Sequence, residues 1–251
     1  MTPETTAGTV DQGNFFSRLM GVYFSPGETF KSFASNPSFL APIIGLILVG
    51  GIVGYLFFAK VDFTQVIAPQ VEQMVEAGRI PKEQAPQAIA MQANIAKYSA
   101  LIVGFIGNVL FSLIVAGIFK LVSMVLGKEN TYKSLFSVTL YTFLAVGILS
   151  SLTLALMIFI KGADFDVQNP LGTNLGTILA LLFEKSSLPR FIWGVARAVD
   201  IFYLWIIVLL GIGYAAVTHR LKATTAGFIL GGLYFGLAII GSALGAIFGQ
   251  G

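Results

Sequence analysis

The sequence has no cysteine, one histidine and few charged residues. Without cysteine, neither a disulfide nor a thiolate metal site can form. His219 has no second histidine with which to bind a metal or relay protons, so we interpret it as one more polar or cationic group beside Arg220 and Lys222 at the headgroup level. The patterns GxSxG, HExxH and GxxxxGK[ST] are also absent. We therefore expect no catalytic residue, no metal, no cofactor and no enzymatic activity.

Hydrophobic residues, by contrast, are abundant in this chain. Of its 251 residues 56% are hydrophobic and only 11% are charged, more apolar than a soluble domain with a polar shell. The net charge of +3 is modest, and basic residues cluster in the short links. This distribution suits binding to anionic lipid headgroups better than binding to nucleic acid. The first long apolar run begins only at Ser38, so we expect no cleaved signal peptide. The composition predicts one integral membrane domain.

Residues 38–58 read SFLAPIIGLILVGGIVGYLFF. About twenty uncharged residues in a helix match the roughly 30 Å hydrocarbon core of a bilayer. Four further runs of this kind complete an all-α polytopic membrane helical bundle of five transmembrane helices within residues 37–251. The predicted spans are residues 38–58, 99–126, 135–160, 200–217 and 227–248.

The first 36 residues precede the spans. Residues 1–13 are too polar to order themselves and are expected to form a flexible tail. Residues 14–36 predict two cytoplasmic interfacial helices. In the first, aromatic residues at helical spacing predict either a stripe at the membrane surface or an ordinary helix packed on the bundle. The second should begin with a capping box from Ser25 to Glu28, with Pro26 at its first position. The expected partner-binding residues are Phe15, Phe16, Arg18, Tyr23, Pro26 and Phe30.

Three segments between the spans need separate interpretation. Residues 60–97 predict a helical hairpin outside the bilayer, with one helix ending at Gly78 and the next restarting at Pro81. Residues 174–183 are apolar but too short to cross, so they predict either a re-entrant or a surface-lying helix. The stretch SSLPRFIWGVARAV is expected to lead as one amphipathic helix into the fourth span.

The charges predict the orientation. With a cytoplasmic N-terminus, the inner segments carry the whole net charge of +3 and both long outer loops are neutral. Lysine and arginine alone number eight outside and seven inside, but long loops count for less than short ones in the positive-inside rule. We therefore expect a multi-pass protein of the cell membrane with its N-terminus in the cytoplasm and its C-terminus outside.

Small residues four apart are the strongest repeated pattern, and they allow helix backbones to approach closely in lipid. Packing within one chain is the simpler interpretation, and a homo-oligomer seam along the fifth span is the alternative. The positions are Gly50 and Gly54 in the first span, and Gly227, Gly231, Gly232, Gly236, Gly241, Gly245 and Gly249 in the fifth.

Few polar residues lie within or beside the spans. Asn108 predicts either a hydrogen bond between helices or a polar cavity. Arg197 and Asp200, three residues apart, should neutralise one another on a helix at the outer edge of the fourth span. Asp164 and Asp166 have a spacing that a divalent cation can use, although solvated loop charges are the simpler interpretation.

Three stretches together resemble the Yip1 domain family of five-span membrane proteins. RLMGVYFSPGETFKSFASNPSFLAPIIGLIL is similar to the family's opening, GKENTYKSLFSVTLYTFLAVGI to its middle link and third span, and LWIIVLLGIGYAAVTHRLKATTAGFIL to its last two spans. The chain departs from the family pattern in having no proline soon after Tyr141 and in its long outer loops.

The resemblance implies a non-enzymatic integral membrane protein with a cytoplasmic N-terminal segment. Eukaryotic members bind Rab GTPases and act in vesicle traffic, whereas the shorter N-terminal segment here is more similar to bacterial or archaeal members. We expect a scaffold or adaptor whose partners are the bilayer and other membrane proteins or itself. The alternative is a transporter or channel for a small solute or lipid, with Asn108, Arg197 and Asp200 as its polar site.

Overall fold

The structure is a computed structural model that describes residues 14–162, 165, 169–184 and 187–248. The predicted flexible tail (1–13), the carboxylates of Asp164 and Asp166, and Gly249 lie outside the described residues. The helices of the described part are α1 (Phe15–Phe24), α2 (Pro26–Ser35), α3 (Leu40–Lys60), α4 (Phe63–Glu76), α5 (Ala85–Val125), α6 (Tyr132–Lys161), α7 (Leu175–Leu182), α8 (Arg190–Ala198), α9 (Ile201–Val217) and α10 (Ala223–Phe248).

The predicted all-α polytopic bundle is confirmed. Four helices of the described residues, α3, α5, α6 and α10, are long and apolar enough to cross a membrane. Helix α9 is the shorter apolar helix, with 17 residues. At 1.5 Å per residue it extends about 26 Å, slightly less than the hydrocarbon thickness. It corresponds to the fourth predicted span.

Helix α6 is the centre of the bundle, since α1, α2, α3, α5 and α9 all pack against it. Every residue from Ser134 to Val146 is buried. Thr139 and Tyr214 share a buried hydroxyl hydrogen bond of 2.7 Å, and the ring of Tyr214 lies 4.1 Å from that of Phe119. The first half of α6 therefore forms a core that is enclosed on all sides.

Helix α5 extends well beyond its membrane-spanning part. Its 41 residues form one helix of about 61 Å, so the predicted span 99–126 is the second part of a longer helix. Helix α4 packs against α5, as the predicted helical hairpin requires. Gly78 adopts a positive φ of 68° just after α4, and a short 3-10 turn from Lys82 to Gln84 precedes α5. Glycine suits this turn because it has no Cβ to clash there.

The amphipathic helix expected before the fourth span is α8, but it ends before the span begins instead of continuing into it. The chain breaks at Val199 and Asp200, between α8 and α9. The Asp200 carboxylate caps α9 by accepting a hydrogen bond from the backbone N–H of Phe202 at 2.8 Å and another from the Thr173 hydroxyl at 2.5 Å. Aspartate favours such a cap because its side chain satisfies a backbone donor that the first helical turn leaves open.

Helix α10 lies at the edge of the bundle and packs against α9 and α8. The Tyr234 hydroxyl donates a hydrogen bond of 2.9 Å to the carbonyl of Ala198, at the end of α8. Helix α7 packs on α8, so α7, α8 and the break at Asp200 form one unit beside α10.

Candidate functional site

The first candidate surface is the N-terminal helical hairpin formed by α1 and α2. Pro26 occupies the first position of α2, as predicted. Ser25, the one residue between the two helices, makes no side-chain cap hydrogen bond, and Glu28 pairs with Lys31 at 2.7 Å on the exposed surface. The predicted capping box is therefore wrong. Proline alone sets the helix start, because its fixed φ suits the first turn.

The hairpin penetrates the bundle. The Tyr23 hydroxyl donates a hydrogen bond of 2.6 Å to the carbonyl of Ala145, and its ring centroid lies 6.0 Å from that of Trp205. Ala145 lies thirteen residues beyond the start of α6, or about 20 Å along that helix. Burial raises the pKa of the Tyr23 phenol above its ordinary value of 10.0, which keeps the donor protonated at neutral pH. One face of α1 therefore packs on the bundle, as one of the two predicted arrangements requires, and the stripe at the membrane surface stays a prediction.

Arg18 fixes the other end of the hairpin. Its side chain is buried, at 8% exposure, and its Nη1 donates a hydrogen bond of 3.2 Å to the carbonyl of Asn36. The guanidinium carbon lies 5.3 Å from the ring centroid of Phe33, which is a cation–π distance. No carboxylate of the described residues pairs with Arg18. Within the described part of the chain, this buried cation is thus held by a ring and a carbonyl rather than by an opposite charge.

The six residues predicted to bind a partner do not form one exposed surface. Phe16 is 71% exposed, whereas Arg18 and Phe30 are buried. Phe15, Tyr23 and Pro26 are partly buried. Most of this set is therefore used to attach the hairpin to the bundle, because aromatic side chains at helical spacing also suit a packed interior.

The exposed face of α1 carries a different set. Phe16, Met20 and Phe24 follow one another at four-residue intervals and are 71%, 51% and 78% exposed. Residues four apart share one helix face, and we call these three the outer stripe. Phe16 was among the predicted partner residues. Met20 and Phe24 share this face but were not among the predicted partner residues.

A cavity of about 480 Å³ opens beside Arg18 at the N-terminal end of α3, and we call it the inner cavity. Tyr141 lines it and is fully buried, and its hydroxyl has no hydrogen-bond partner among the described residues. The backbones of Leu40 and Ala41 form the first turn of α3, whose cap residue Phe39 provides no side-chain hydrogen bond. Sequence reasoning missed Tyr141 as a site residue because nothing distinguishes it within the apolar run of the third span.

A second cavity, of about 600 Å³, lies between the two short basic links. The backbone N–H of His219 donates to the carbonyl of Glu129 at 2.9 Å, and Lys128 Nζ donates to the carbonyl of Arg220 at 3.2 Å. Lys120 Nζ bonds the Asn130 carbonyl at 2.8 Å. The imidazole of His219 is exposed at this end of the bundle.

Two of the predicted glycine positions form a close helix contact. Gly50 and Gly54 of α3 face Gly104 of α5. A Cβ added at Gly104 would lie 2.5 Å from the carbonyl oxygen of Gly50 and 2.9 Å from the Cα of Gly54. The backbones are therefore in direct contact, as a small-residue interface in lipid allows.

The glycines of α10 are mostly open. Gly211 of α9 approaches Gly227, since a Cβ on Gly211 would lie 3.1 Å from the Gly227 Cα. A Cβ at Gly231 would meet only the Ile207 side chain, at 3.9 Å. A Cβ added at any of the remaining positions would meet no atom of the described residues within 4 Å. These positions are Gly232, Gly236, Gly241 and Gly245.

The three predicted polar residues do not form one site. Asn108 is exposed on α5, which packs on α3, α4 and α6. Arg197 packs against Gly176 of α7, with its Cγ 2.9 Å from a Cβ built there. Asp200 forms no ion pair with Arg197, because its carboxylate caps α9 instead. The predicted Arg197–Asp200 pair is therefore wrong.

Comparison with known proteins adds one finding. The family model described as the Yip1 domain matches residues 20–245, about nine-tenths of the chain. Neither the comparison with curated proteins nor the comparison with solved structures gives a match. The matched range includes α2 to α9 entire, with the second half of α1 and most of α10.

Proposed function

Because this chain belongs to the Yip1 domain family of membrane proteins, we propose that it acts as a non-enzymatic scaffold or adaptor of the cell membrane. In this role it holds other membrane proteins against its N-terminal hairpin. The observation that carries the proposal is that the hairpin is attached to α6 and α9 from inside, while its outer stripe remains uncovered. The surface proposed to bind a partner and the residues that attach the hairpin to the bundle thus lie on opposite faces of α1.

The outer stripe suits a protein partner. Phe16, Met20 and Phe24 are aromatic or flexible side chains of the kind enriched at protein interfaces. Arg18 and Tyr23, on the opposite face of α1, bond to Asn36 and Ala145 and hold the stripe in position. A pre-positioned surface loses less conformational entropy on binding than a mobile one. The docked hairpin therefore supports specific binding rather than general contact with lipid.

The test is capture of partners in native nanodiscs without detergent, followed by mass spectrometry. We expect reproducible membrane-protein partners with the wild-type protein and their loss when Phe16, Met20 and Phe24 are all changed to alanine. A matched control changes Ile44, Leu48 and Ile52 of α3, which have the same spacing and are 50%, 61% and 62% exposed. Partners should remain with the control. Equal loss in both variants would contradict the proposal.

Transport is the second candidate function. The observation that favours it is the chain break before α9 with the buried carboxylate of Asp200 beside it, since transporters commonly have helix breaks and polar residues within the membrane. In the same nanodisc experiment, a protein that is isolated without protein partners but with one class of solute or lipid would favour this function. The Asp200→Asn variant should then lose that solute.

A further inference from the structure

The burial of Arg18 is not balanced within the described part of the chain. A guanidinium has five N–H donors, and the structure gives Arg18 one hydrogen bond, to Asn36, and one ring contact, with Phe33. Taking a cation out of water is costly unless an opposite charge or several acceptors replace the water. No carboxylate of the described residues does so. Donors of Arg18 that have no partner among the described residues are therefore available to a further acceptor in the cavity that it lines.

Two further kinds of donor belong to residues that line the inner cavity, as Arg18 also does. The Tyr141 hydroxyl is fully buried and unpartnered within the described chain, although buried hydroxyl groups are normally hydrogen-bonded. The N–H groups of Leu40 and Ala41 belong to the first turn of a 21-residue helix and have no intrahelical acceptor. They lie at the positive end of the α3 dipole.

Among the described residues, no acidic one lines the inner cavity. A guanidinium, a phenol and a helix N-terminus are the donors from which proteins build phosphate sites. We propose that the inner cavity binds a phosphate group, held by Arg18, the Tyr141 hydroxyl and the first turn of α3. This assignment is independent of the outer stripe, which lies on the opposite face of α1.

The phosphate can belong to a lipid headgroup or to a soluble compound, because both present the same oxygens. The surroundings favour the lipid. Phe15, Phe39 and Leu40 line the same cavity, and Leu40 is 71% exposed at the start of a membrane-spanning helix. An acyl chain could therefore follow the exposed face of α3 while its headgroup occupies the cavity. This is the level at which anionic headgroups meet basic segments.

The test is a binding titration of the full chain in a neutral detergent with two probes, dihexanoyl-phosphatidylglycerol and inorganic phosphate. Native mass spectrometry and the probe-dependent rise in unfolding temperature both report binding. We expect saturable binding of dihexanoyl-phosphatidylglycerol by the wild-type protein. Arg18→Gln should raise the Kd about tenfold or more, because a charge-assisted hydrogen bond is lost. Binding of inorganic phosphate with the same dependence on the variants, without the lipid, would identify a soluble phosphate compound as the ligand.

Tyr141→Phe keeps the test decisive if Arg18→Gln fails to fold. It removes a hydroxyl that has no partner, so without a probe the unfolding temperature should stay equal or rise. With the probe, the Kd should rise about fivefold. The matched control is Tyr214→Phe, whose hydroxyl bonds Thr139 and does not line the cavity, so its Kd should equal that of the wild type. No binding of either probe, or an unchanged Kd in both Arg18→Gln and Tyr141→Phe, would overturn the assignment.

Discussion

At the scale of single residues, the tyrosines packed within the bundle differ in what their hydroxyl groups do. The hydroxyl of Tyr23 is bonded to Ala145 and that of Tyr214 to Thr139, whereas that of Tyr141 is unpartnered among the described residues. In a bundle that lipid surrounds, the apolar ring of a tyrosine is easily buried, so the cost of burying the side chain depends on whether its hydroxyl has a hydrogen-bond partner. The same residue type therefore serves as an anchor in one place and as an available donor in another.

The Tyr23 bond can be measured directly. Tyr23→Phe leaves the ring beside Trp205 but deprives the Ala145 carbonyl of its donor, so we expect the free energy of unfolding to fall by about 1 kcal/mol. Tyr55→Phe is the control, because Tyr55 is 62% exposed. Unfolding in detergent followed by circular dichroism gives both values. Equal stability of the two variants would mean that the hairpin is held by its apolar contacts alone.

Sequence reasoning identified the hairpin residues but not their roles. Phe16 and Phe30 have the same chemistry and both suit an apolar helix face, yet one is exposed and the other fully buried. The difference depends on where α6 and α9 lie, which no local pattern contains. Tyr141 could not be singled out for the same reason, because a missing hydrogen-bond partner is a property of the packed structure.

At the scale of helices, the contact between α3 and α5 shows how small residues act in lipid. Gly50, Gly54 and Gly104 place two backbones in contact, and no side chain separates them. Van der Waals contact replaces the hydrophobic effect as the driving force there. Gly117 lies on the same helix α5, but a Cβ added to it would meet no atom of the described residues within 4 Å. Helix α5 thus contains one glycine, Gly104, that contacts another helix, and one, Gly117, that has space for a methyl group.

This pair gives a controlled test of packing. Gly104→Ala inserts a methyl group against the backbones of Gly50 and Gly54, and such overpacking should lower the free energy of unfolding by about 1–3 kcal/mol. Gly117→Ala adds the same methyl group where there is space, and stability should stay equal or rise by up to about 1 kcal/mol because alanine favours helix. Thermal unfolding of both variants in one detergent decides the outcome. A stable Gly104→Ala variant would argue against the backbone contact.

The helix ends show where sequence patterns were sufficient. Gly78 and Pro26 mark ends correctly, because their backbone preferences act locally. The break at Asp200 was missed, since an Arg197–Asp200 spacing of three residues is equally suited to a continuous helix. What ends α8 there is the pairing of Thr173 with Asp200 and of Leu175 with Val199, contacts with a distant loop.

At the scale of the whole molecule, the contacts show which segments share one end of the bundle. The α5–α6 link and the α9–α10 link are joined by the bond from His219 to Glu129 and by that from Lys128 to Arg220. Ala34, near the end of α2, lines the same cavity as these links. The basic links and the base of the N-terminal hairpin therefore lie together, and the α4–α5 hairpin belongs to the opposite end of α5.

The charge of this arrangement predicts its orientation in the membrane. The two basic links carry more lysine and arginine than acidic residues, and by the positive-inside rule we expect their end of the bundle to face the cytoplasm. The cysteine-free sequence allows a matched labelling test with Glu129→Cys in a link and Glu76→Cys at the end of α4, both of which replace an exposed glutamate. In intact cells an impermeant maleimide should label Glu76→Cys and should reach Glu129→Cys only after permeabilisation. The reverse labelling pattern would show that the protein has the opposite orientation in the membrane. The N-terminal hairpin, with its outer stripe and inner cavity, would then lie on the external side.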